Sequence, residues 1–122
     1  MGLFDVTQAA LEKALEGSAL RQRALANNLA NANTAGFKRS DVDFQSALDS
    51  ALSGGPQVQS AQVESTRFAV ATDTSSSARA DGNNVDVDTE MADLSENSVT
   101  YQALVAVAKA RLHMLEIAIG AR

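Results

Sequence analysis

The sequence predicts a mainly α protein in which long N- and C-terminal helices pair as an antiparallel coiled coil, with a small irregular or β-hairpin middle segment. Apolar residues recur in steps of three and four at both ends of the 122-residue chain, whereas the centre is rich in Ser, Thr, Gln and Gly. Aromatic residues make up only 4% of the chain and Trp is absent, so a narrow helical seam suits this composition better than a large globular core.

The first helix is predicted to run from about residue 5 to residue 31. Gln8 lies three residues after Asp5, which is the spacing of a capping box. The predicted seam has a polar middle and comprises Phe4, Leu11, Leu15, Ser18, Gln22, Leu25 and Leu29. Several Asn residues and Gly36 then end the helix, because Asn and Gly tolerate the left-handed backbone found at helix C-caps.

A shorter second helix is predicted in the middle of the chain, with Ser40 or Asp41 as its N-cap. Its apolar face comprises Phe44, Ala47, Leu48, Ala51 and Leu52. The sequence Gly54-Gly55-Pro56 ends it. Residues 57–80 alternate only partly between apolar and polar side chains, which allows one short hairpin at most.

The last helix is predicted to begin at an N-cap formed by Asp88 or Thr89. Its seam follows strict three-four steps through Met91, Leu94, Ser98, Tyr101, Val105, Ala108, Leu112, Leu115 and Ile119. Further apolar residues lie outside the seams. A single partner helix cannot cover all of them, so we expect them to contact other subunits. These residues are Leu20, Val99, Leu104, Val107 and Ile117.

These elements divide the chain into three parts. Residues 1–53 form an N-terminal helical arm that contains the long helix, an Asn-rich turn and the short helix. Residues 54–88 form a flexible middle segment, and residues 89–122 form the C-terminal helix. We expect residues 1–39 and 89–122 to make one helical domain together.

The composition argues against several kinds of function. Without cysteine the chain has no thiolate catalysis and no cysteine metal site, and its net charge of −5 argues against nucleic acid as a partner. No run reaches the roughly 18 apolar residues that a membrane span needs. The single histidine, His113, has no accompanying nucleophile or metal-binding set. We therefore expect no catalytic residue, no cofactor, no metal and no enzyme activity.

The acidic cluster between Asp81 and Glu90 does not fit a calcium-binding EF-hand loop. With Gly82 at the glycine position of such a loop, Ser77 and Arg79 would stand where ligands belong. Turn formation and helix capping explain these acidic residues more simply.

Four Asn residues lie within the seven positions from 27 to 33, more than a helix C-cap needs. Asn27 and Asn31 are four positions apart and share a helix face, from which their amides could bond to another helix. A C-cap and an interhelical contact both remain open as interpretations of this cluster.

Two stretches resemble motifs of bacterial flagellar rod and hook proteins. The first is residues 25–44, and the second is residues 81–91 with Leu94, Asn97 and Tyr101 after them. Together they cover about half of the chain, and their pairing in a short chain is similar to the proximal rod proteins in particular. Ala35 and Phe37 are mild departures, because the family often has Pro and Tyr at these positions.

This resemblance implies a structural subunit of the flagellar basal-body rod, which assembles with copies of itself and other rod subunits into a helical periplasmic shaft that transmits torque. It also implies contacts with adjacent membrane-ring and export-gate adaptor proteins, and passage through the flagellar type III export apparatus without a cleaved signal peptide. Phe44 and Leu48 resemble a short export-gate recognition element, although an i, i+4 pair on an amphipathic helix explains them at least as well.

The resemblance assigns an assembly role to residues of both motifs. These are Asn27, Asn28, Leu29, Asn31, Thr34, Gly36, Phe37, Lys38, Asp81, Gly82, Asn83, Val85, Asp86, Asp88, Met91, Asn97 and Tyr101. The alternatives are another axial protein of the rod and hook family, or a cytoplasmic coiled-coil adaptor or secretion chaperone. A stable closed dimer would indicate the adaptor or chaperone.

Overall fold

The computed structural model describes residues 2–120, with side chains from residue 5 onward, so that the predicted seam residue Phe4 lies outside the described side chains. In chain order the elements are α1 (Gly2–Ala30), β1 (Ser40–Asp41), α2 (Phe44–Leu52), α3 (Ser60–Glu64), β2 (Ala71–Thr72) and α4 (Val87–Gly120). A single 3-10 turn, Gly55–Gln57, lies between α2 and α3. Within residues 2–120, no helix has both the length and the apolar character needed to cross a membrane.

The two long helices, α1 and α4, lie side by side and run antiparallel. Near the end of α1, the Asn28 amide Nδ2 lies 3.1 Å from a carboxylate oxygen of Glu90 in the first turn of α4. Earlier in α1, the Ser18 hydroxyl lies 3.4 Å from the amide oxygen of Asn97, further along α4. The predicted fold class, a mainly α chain with paired terminal helices, is therefore confirmed.

The hydrophobic core lies between α1, α2 and α3 rather than between the two long helices. Its members are Ala9, Ala24, Val42, Phe44, Leu48 and Val63, with Val6, Ala10, Ala14, Leu20, Val58 and Phe68 packed against them. All of these residues precede α4 in the chain. The rings of Phe44 and Phe68 meet edge to face with their centroids 6.4 Å apart, a favourable aromatic geometry. One side of α1 thus carries the core, and another side receives α4.

The second helix has the predicted extent but a different N-cap. Asp43 occupies the cap, and its carboxylate accepts a hydrogen bond from the backbone N–H of Ser46 at 3.1 Å. The predicted caps Ser40 and Asp41 are extended instead and form β1. Residues 40 and 41 are extended because they pair with β2, a strand distant in the sequence, and local spacing cannot indicate such a pairing.

The last helix also begins earlier than predicted. Asp86 caps it, because its carboxylate accepts a hydrogen bond from the Thr89 backbone N–H at 3.2 Å. Asp88 and Thr89, the predicted caps, lie within the first turn of α4. Acidic side chains in this turn complement the positive end of the helix dipole.

A small antiparallel ladder is present in the middle of the chain, although its strands come from two separate regions. Ser40 stands opposite Thr72 and Asp41 opposite Ala71, so β2 pairs with the segment that follows α1. The two strands therefore do not close a hairpin within residues 57–80. In the same middle segment, α3 was not predicted, and its Val63 is fully buried in the core.

The most buried stripe of α4 lies one position before the predicted seam, although Leu94, Ser98, Val105 and Ala108 of that seam are half-buried as well. We call it the inner stripe: Glu90, Asn97, Leu104 and Arg111. Glu90 is 0% and Asn97 1% exposed, whereas Leu104 and Arg111 are half-buried. Each of these residues precedes a residue of the predicted seam by one position, a turn of about 100° around the helix axis. The seam residues Met91 and Leu112 are accordingly 55% and 60% exposed.

Candidate functional site

The two sequence motifs meet in space and form what we call the motif junction, residues 27–41 and 79–90. The Gly36 backbone N–H donates to the Asp81 carbonyl at 2.8 Å, and the Asn84 N–H donates to the Phe37 carbonyl at 3.3 Å. The fully buried Asn83 ties the same segments together, because its Nδ2 donates to the carbonyls of residues 31 and 34, both at 2.8 Å. The Asn-rich turn is thus held by the loop that precedes α4.

Two glycines allow this close approach. Gly36 and Gly82 have φ angles of 73° and 85°, in the left-handed region that glycine adopts most easily. A Cβ added to Gly82 would lie 3.3 Å from the Gly36 Cα, so the two backbones nearly touch. The Lys38 ammonium donates to the Gly82 carbonyl, and the Arg79 guanidinium donates to the Ala32 carbonyl. Both bonds hold the loop against the turn.

Asn28 is the central amide of the motif junction and is fully buried. Its Nδ2 donates to the Ser40 carbonyl at 2.6 Å and to Glu90 at 3.1 Å, while its Oδ1 accepts from the Ser40 N–H at 2.8 Å. This one side chain therefore joins α1, β1 and α4 of the same chain. Asn31 stays local, since its Nδ2 donates to the carbonyl of Asn27 at 2.8 Å.

Arg39 lies among four carboxylates, and we call this group the Arg39 cluster. Its Nε donates to the buried Glu90 carboxylate. Its terminal nitrogens lie 3.6 Å from Asp41, 3.7 Å from Asp73 and 3.9 Å from Asp93. The Asp73 backbone N–H also donates to the Arg39 carbonyl at 2.8 Å. One guanidinium therefore links the segment after α1, the segment after β2 and the start of α4.

The pKa values of two carboxyl groups of the cluster are lowered, that of Asp41 by arginine contacts and that of Asp73 by neighbouring serines. Burial by itself raises the pKa of Asp41. A hydrogen bond from Arg21 Nε at 2.9 Å, a second from the Val42 N–H, and the charges of Arg21 and Arg39 outweigh this effect, so the pKa of Asp41 is lowered. The pKa of Asp73 is lowered mainly by the Ser76 hydroxyl, with added hydrogen bonds from residue 75. The pKa of Arg39 is raised, first by its hydrogen bond to Glu90.

Acid is expected to loosen the Arg39 cluster. Asp41 and Asp73 have lower pKa values in the folded chain, so their stabilisation is complete only above the unfolded value of about 4. It declines as the pH falls through the folded values. Urea midpoints followed by circular dichroism should stay level from about pH 7 to 5 and then drop. The decrease of the urea midpoint below about pH 5 should be smaller in Asp41→Asn than in the exposed control Asp49→Asn. Equal decreases in the two variants would contradict a stabilising role of the Asp41 carboxylate.

The junction brings together most of the predicted assembly residues but not all of them. Val85 and Asn83 are buried; Leu29, Phe37, Lys38 and Gly82 are half-buried; Asn27, Thr34, Gly36, Asp81, Asp86 and Asp88 are exposed. Met91 and Tyr101 lie outside the junction on the exposed surface of α4, and Asn97 is buried against α1. Their assembly role stays a prediction.

Sequence reasoning missed the Arg39 cluster. Arg39 lies within the first motif, and the sequence pattern explains Glu90 by turn formation and helix capping. Fifty-one positions separate these two residues, and no spacing rule relates an arginine in a turn to a distant glutamate. A buried glutamate at a helix start becomes recognisable only once the turn is known to fold back against it.

Neither a metal site nor a catalytic set is apparent within residues 2–120. No group of three or more His, Cys, Asp or Glu residues in this part of the chain is arranged to hold a metal ion. His113 lies exposed on α4, with its Nδ1 3.6 Å from a Glu116 oxygen. The junction is built from hydrogen bonds and ion pairs that hold segments of the chain together.

Residues 10–38 match the family described as flagella basal body rod protein, which defines the class. The chain is 35% identical to the flagellar basal body rod protein FlgB of Bacillus subtilis, over 86% of each chain. It is 33% identical to FlgB of Escherichia coli, over 82% of this chain and 85% of the relative, and 32% identical to FlgB of Salmonella typhimurium, over 90% and 92%. The chain therefore belongs to the FlgB family of flagellar basal body rod proteins. This is a family of structural proteins and not of enzymes.

Proposed function

We propose that this rod protein assembles with copies of itself and with other rod subunits into a helical shaft in the periplasm, and that this shaft transmits torque. Family membership supports a structural subunit of the flagellar basal body. The observation that supports assembly most directly is the apolar surface of α4 near its C-terminal end. Leu112, Met114, Leu115, Ile117 and Ile119 are 57–68% exposed there.

These side chains lie on opposite sides of α4. At about 100° per residue, Leu112, Leu115 and Ile119 share one side of the helix. Met114 and Ile117 lie on roughly the opposite side. Leaving large apolar side chains in water forgoes about 1.5–3 kcal/mol for each one that could be fully buried. Since one neighbour cannot cover both sides, α4 is suited to a position between several neighbouring helices.

The proposed contacts with neighbouring subunits differ in part from those expected from spacing alone. Leu20 packs against the core of its own chain, and Leu104 is half-buried on the inner stripe. Val99, Val107 and Ile117 are exposed. At about 100° per residue, Val99 lies nearly opposite the inner stripe and Ile117 roughly 120° from it, whereas Val107 lies at its edge. The apolar contact surface is therefore proposed to consist of these three residues and the exposed end of α4. Such a contact joins different surfaces of two subunits and can propagate along a shaft.

The motif junction is proposed to fix the base of α4 and so the direction in which the helix projects toward its neighbours. Arg39 and Asn28 both bond to Glu90 in the first turn of α4, which ties this helix to the turn after α1. The assembly role of both motifs would then be indirect. They hold the contact surface in place, and only their exposed members are available to touch a neighbouring subunit.

We also propose that the chain leaves the cytoplasm through the flagellar type III export apparatus, without a cleaved signal peptide, and meets adaptor proteins at the membrane ring. Phe44 and Leu48, the candidate export element, are both buried in the core. Their burial means that recognition of these side chains has to precede folding. An export step that acts on the unfolded chain would satisfy this condition.

Replacing Ile117 with aspartate is expected to abolish motility without unfolding the isolated chain. Ile117 is 57% exposed, so a charge there costs little in the free chain but would be desolvated at a contact between subunits. The variant would be expressed in cells that lack the native gene, and swimming and rod formation would be scored. Ser50→Asp adds the same charge at an exposed polar position of α2, outside the proposed contact surface, and should swim. Full motility of a stably expressed Ile117→Asp protein would contradict the proposed contact surface.

A further inference from the structure

The contact between α1 and α4 is polar at its centre. Asn97 donates from Nδ2 to the Ser18 carbonyl at 2.9 Å and to the Gln22 Oε1 at 2.7 Å. The Ser18 hydroxyl donates to the Asn97 Oδ1 at 3.4 Å. Ser18 and Asn97 are both buried, and every buried side-chain nitrogen and oxygen in the described part of the chain has a partner. We call these three residues the amide contact.

The amide contact requires one rotation of α4 about its own axis. Ser18 and Gln22 lie one turn apart on α1 and face the same amide. If α4 turned by one residue, about 100°, Ser98 would take the place of Asn97. The Asn97 amide donates to both the Ser18 carbonyl and the Gln22 Oε1, whereas a serine hydroxyl has one hydrogen, so at least one of these acceptors would lose its donor. An unpaired buried polar group is unfavourable, so the hydrogen bonds select the observed rotation.

Apolar burial favours a different rotation. The inner stripe contains the polar residues Glu90, Asn97 and Arg111. The predicted seam contains Met91, Tyr101 and Leu112, which are exposed, beside Leu94, Val105 and Ala108, which are half-buried. Turning these side chains toward α1 would remove apolar surface from water. Polar residues at helix–helix contacts are known to fix register and orientation at some cost in stability. The observed arrangement has this character, because polar groups are buried while larger apolar ones stay outside.

We propose that Asn97 is a positioning residue that fixes the rotation of α4, so that the same sides of this helix always face outward. Arg39 and Asn28 hold Glu90 in the first turn of α4. Ser18 and Gln22 hold Asn97 about two turns further along the same helix. The rotation is a property of the isolated chain. Its consequence for assembly, a constant apolar surface for neighbouring subunits, rests on the proposed rod function.

Replacing Asn97 with leucine tests this assignment. The substitution removes the amide and completes an apolar three-four series through Leu94, position 97, Tyr101 and Leu104. Centring that series on α1 would turn Tyr101 inward and Thr100 outward. The native chain has no cysteine, so single Thr100→Cys and Tyr101→Cys substitutions report the rotation through their rates of thiol modification. We expect the ratio of the Thr100→Cys rate to the Tyr101→Cys rate to rise about fivefold, since burial slows thiol modification.

The matched control is Ser98→Leu, which adds the same side chain one position along and leaves the amide contact intact. In the Ser98→Leu background, the ratio of the Thr100→Cys rate to the Tyr101→Cys rate should stay at the native value. Gln22→Leu removes one acceptor and should shift the ratio in the same direction as Asn97→Leu by a smaller amount, which keeps the test decisive if Asn97→Leu does not fold. Native ratios in the folded Asn97→Leu and Gln22→Leu proteins, or an equal shift in Ser98→Leu, would overturn the proposal.

Thiol modification is measured on the isolated chain, so its result does not depend on whether the chain forms a rod. Motility of the Ile117→Asp strain reports on rod assembly and does not depend on how the rotation is fixed. A shifted ratio in Asn97→Leu, with a motile Ile117→Asp strain, would support the positioning role and contradict the proposed contact surface. A native ratio with a non-motile Ile117→Asp strain would do the reverse.

Discussion

Replacing Arg39 with methionine is expected to lower the free energy of unfolding by about 3–5 kcal/mol, because the substitution leaves a buried carboxylate without its counter-charge. Glu90 is 0% exposed and would retain only the Asn28 amide as a hydrogen-bond donor among its observed partners. Asp41, Asp73 and Asp93 would then lie near Glu90 with no Arg39 charge between them. The loss should therefore exceed that of a typical surface ion pair, which is worth about 0–1 kcal/mol.

Urea unfolding of the native and Arg39→Met proteins, followed by circular dichroism, measures this difference. Arg23→Met is the matched control, because Arg23 is exposed on α1, and its effect should stay within about 0.5 kcal/mol. Arg39→Lys keeps the charge but loses the planar fork, so its loss should be intermediate. If Arg39→Met unfolds at the same urea concentration as Arg23→Met, the cluster does not stabilise the fold.

Replacing Gly17 with alanine is expected to destabilise the protein by about 2 kcal/mol, although alanine is the better helix former by about 1 kcal/mol. A Cβ at this position would lie 2.7 Å from the Phe44 Cγ and closer still to the Phe44 Cβ. Phe44 is buried and packs against Phe68, so its Cβ cannot move without shifting α2. The clash should push α2 away from α1 and open the hydrophobic core.

Gly120→Ala is the control for helix propensity, since no atom lies within 4 Å of a Cβ there, and it should be neutral or slightly stabilising. A double-mutant cycle with Phe44→Ala checks the cause, because alanine removes the Cγ and Cδ2 atoms that overlap and leaves α2 free to shift away from the remaining Cβ contact. The loss caused by Gly17→Ala should then be smaller in the Phe44→Ala background. A stabilising Gly17→Ala substitution would contradict the close approach of α1 and α2.

The sequence pattern predicted those elements whose signals are local. Steps of three and four indicated the long helices, and the apolar face of residues 44–52 with the following Gly-Gly-Pro indicated α2. Helix boundaries were predicted less accurately. The observed caps Asp43 and Asp86 each lie two positions from another aspartate, and residue type alone does not decide which aspartate caps the helix. The short strands escaped prediction in detail, since each consists of two residues paired across the chain.

The rotation of α4 could not be predicted because it depends on contacts that are distant in the sequence. Spacing alone favours an apolar seam toward α1, and by that criterion Glu90 and Asn97 belong outside it. Their burial becomes favourable only when Arg39, Asn28 and Gln22 supply partners. For the same reason, the resemblance includes Arg39, Asp41 and Glu90 in its two motifs but does not indicate that these residues contact one another.

The most direct test of the rod function is deletion of the coding region, followed by electron cryo-tomography of the cell envelope and scoring of motility. The proposed function predicts non-motile cells whose basal bodies retain the membrane ring and have no rod above it. Restoring the native gene should restore the rod. Complete, rotating flagella in the deletion strain would contradict an essential role of this chain in the rod.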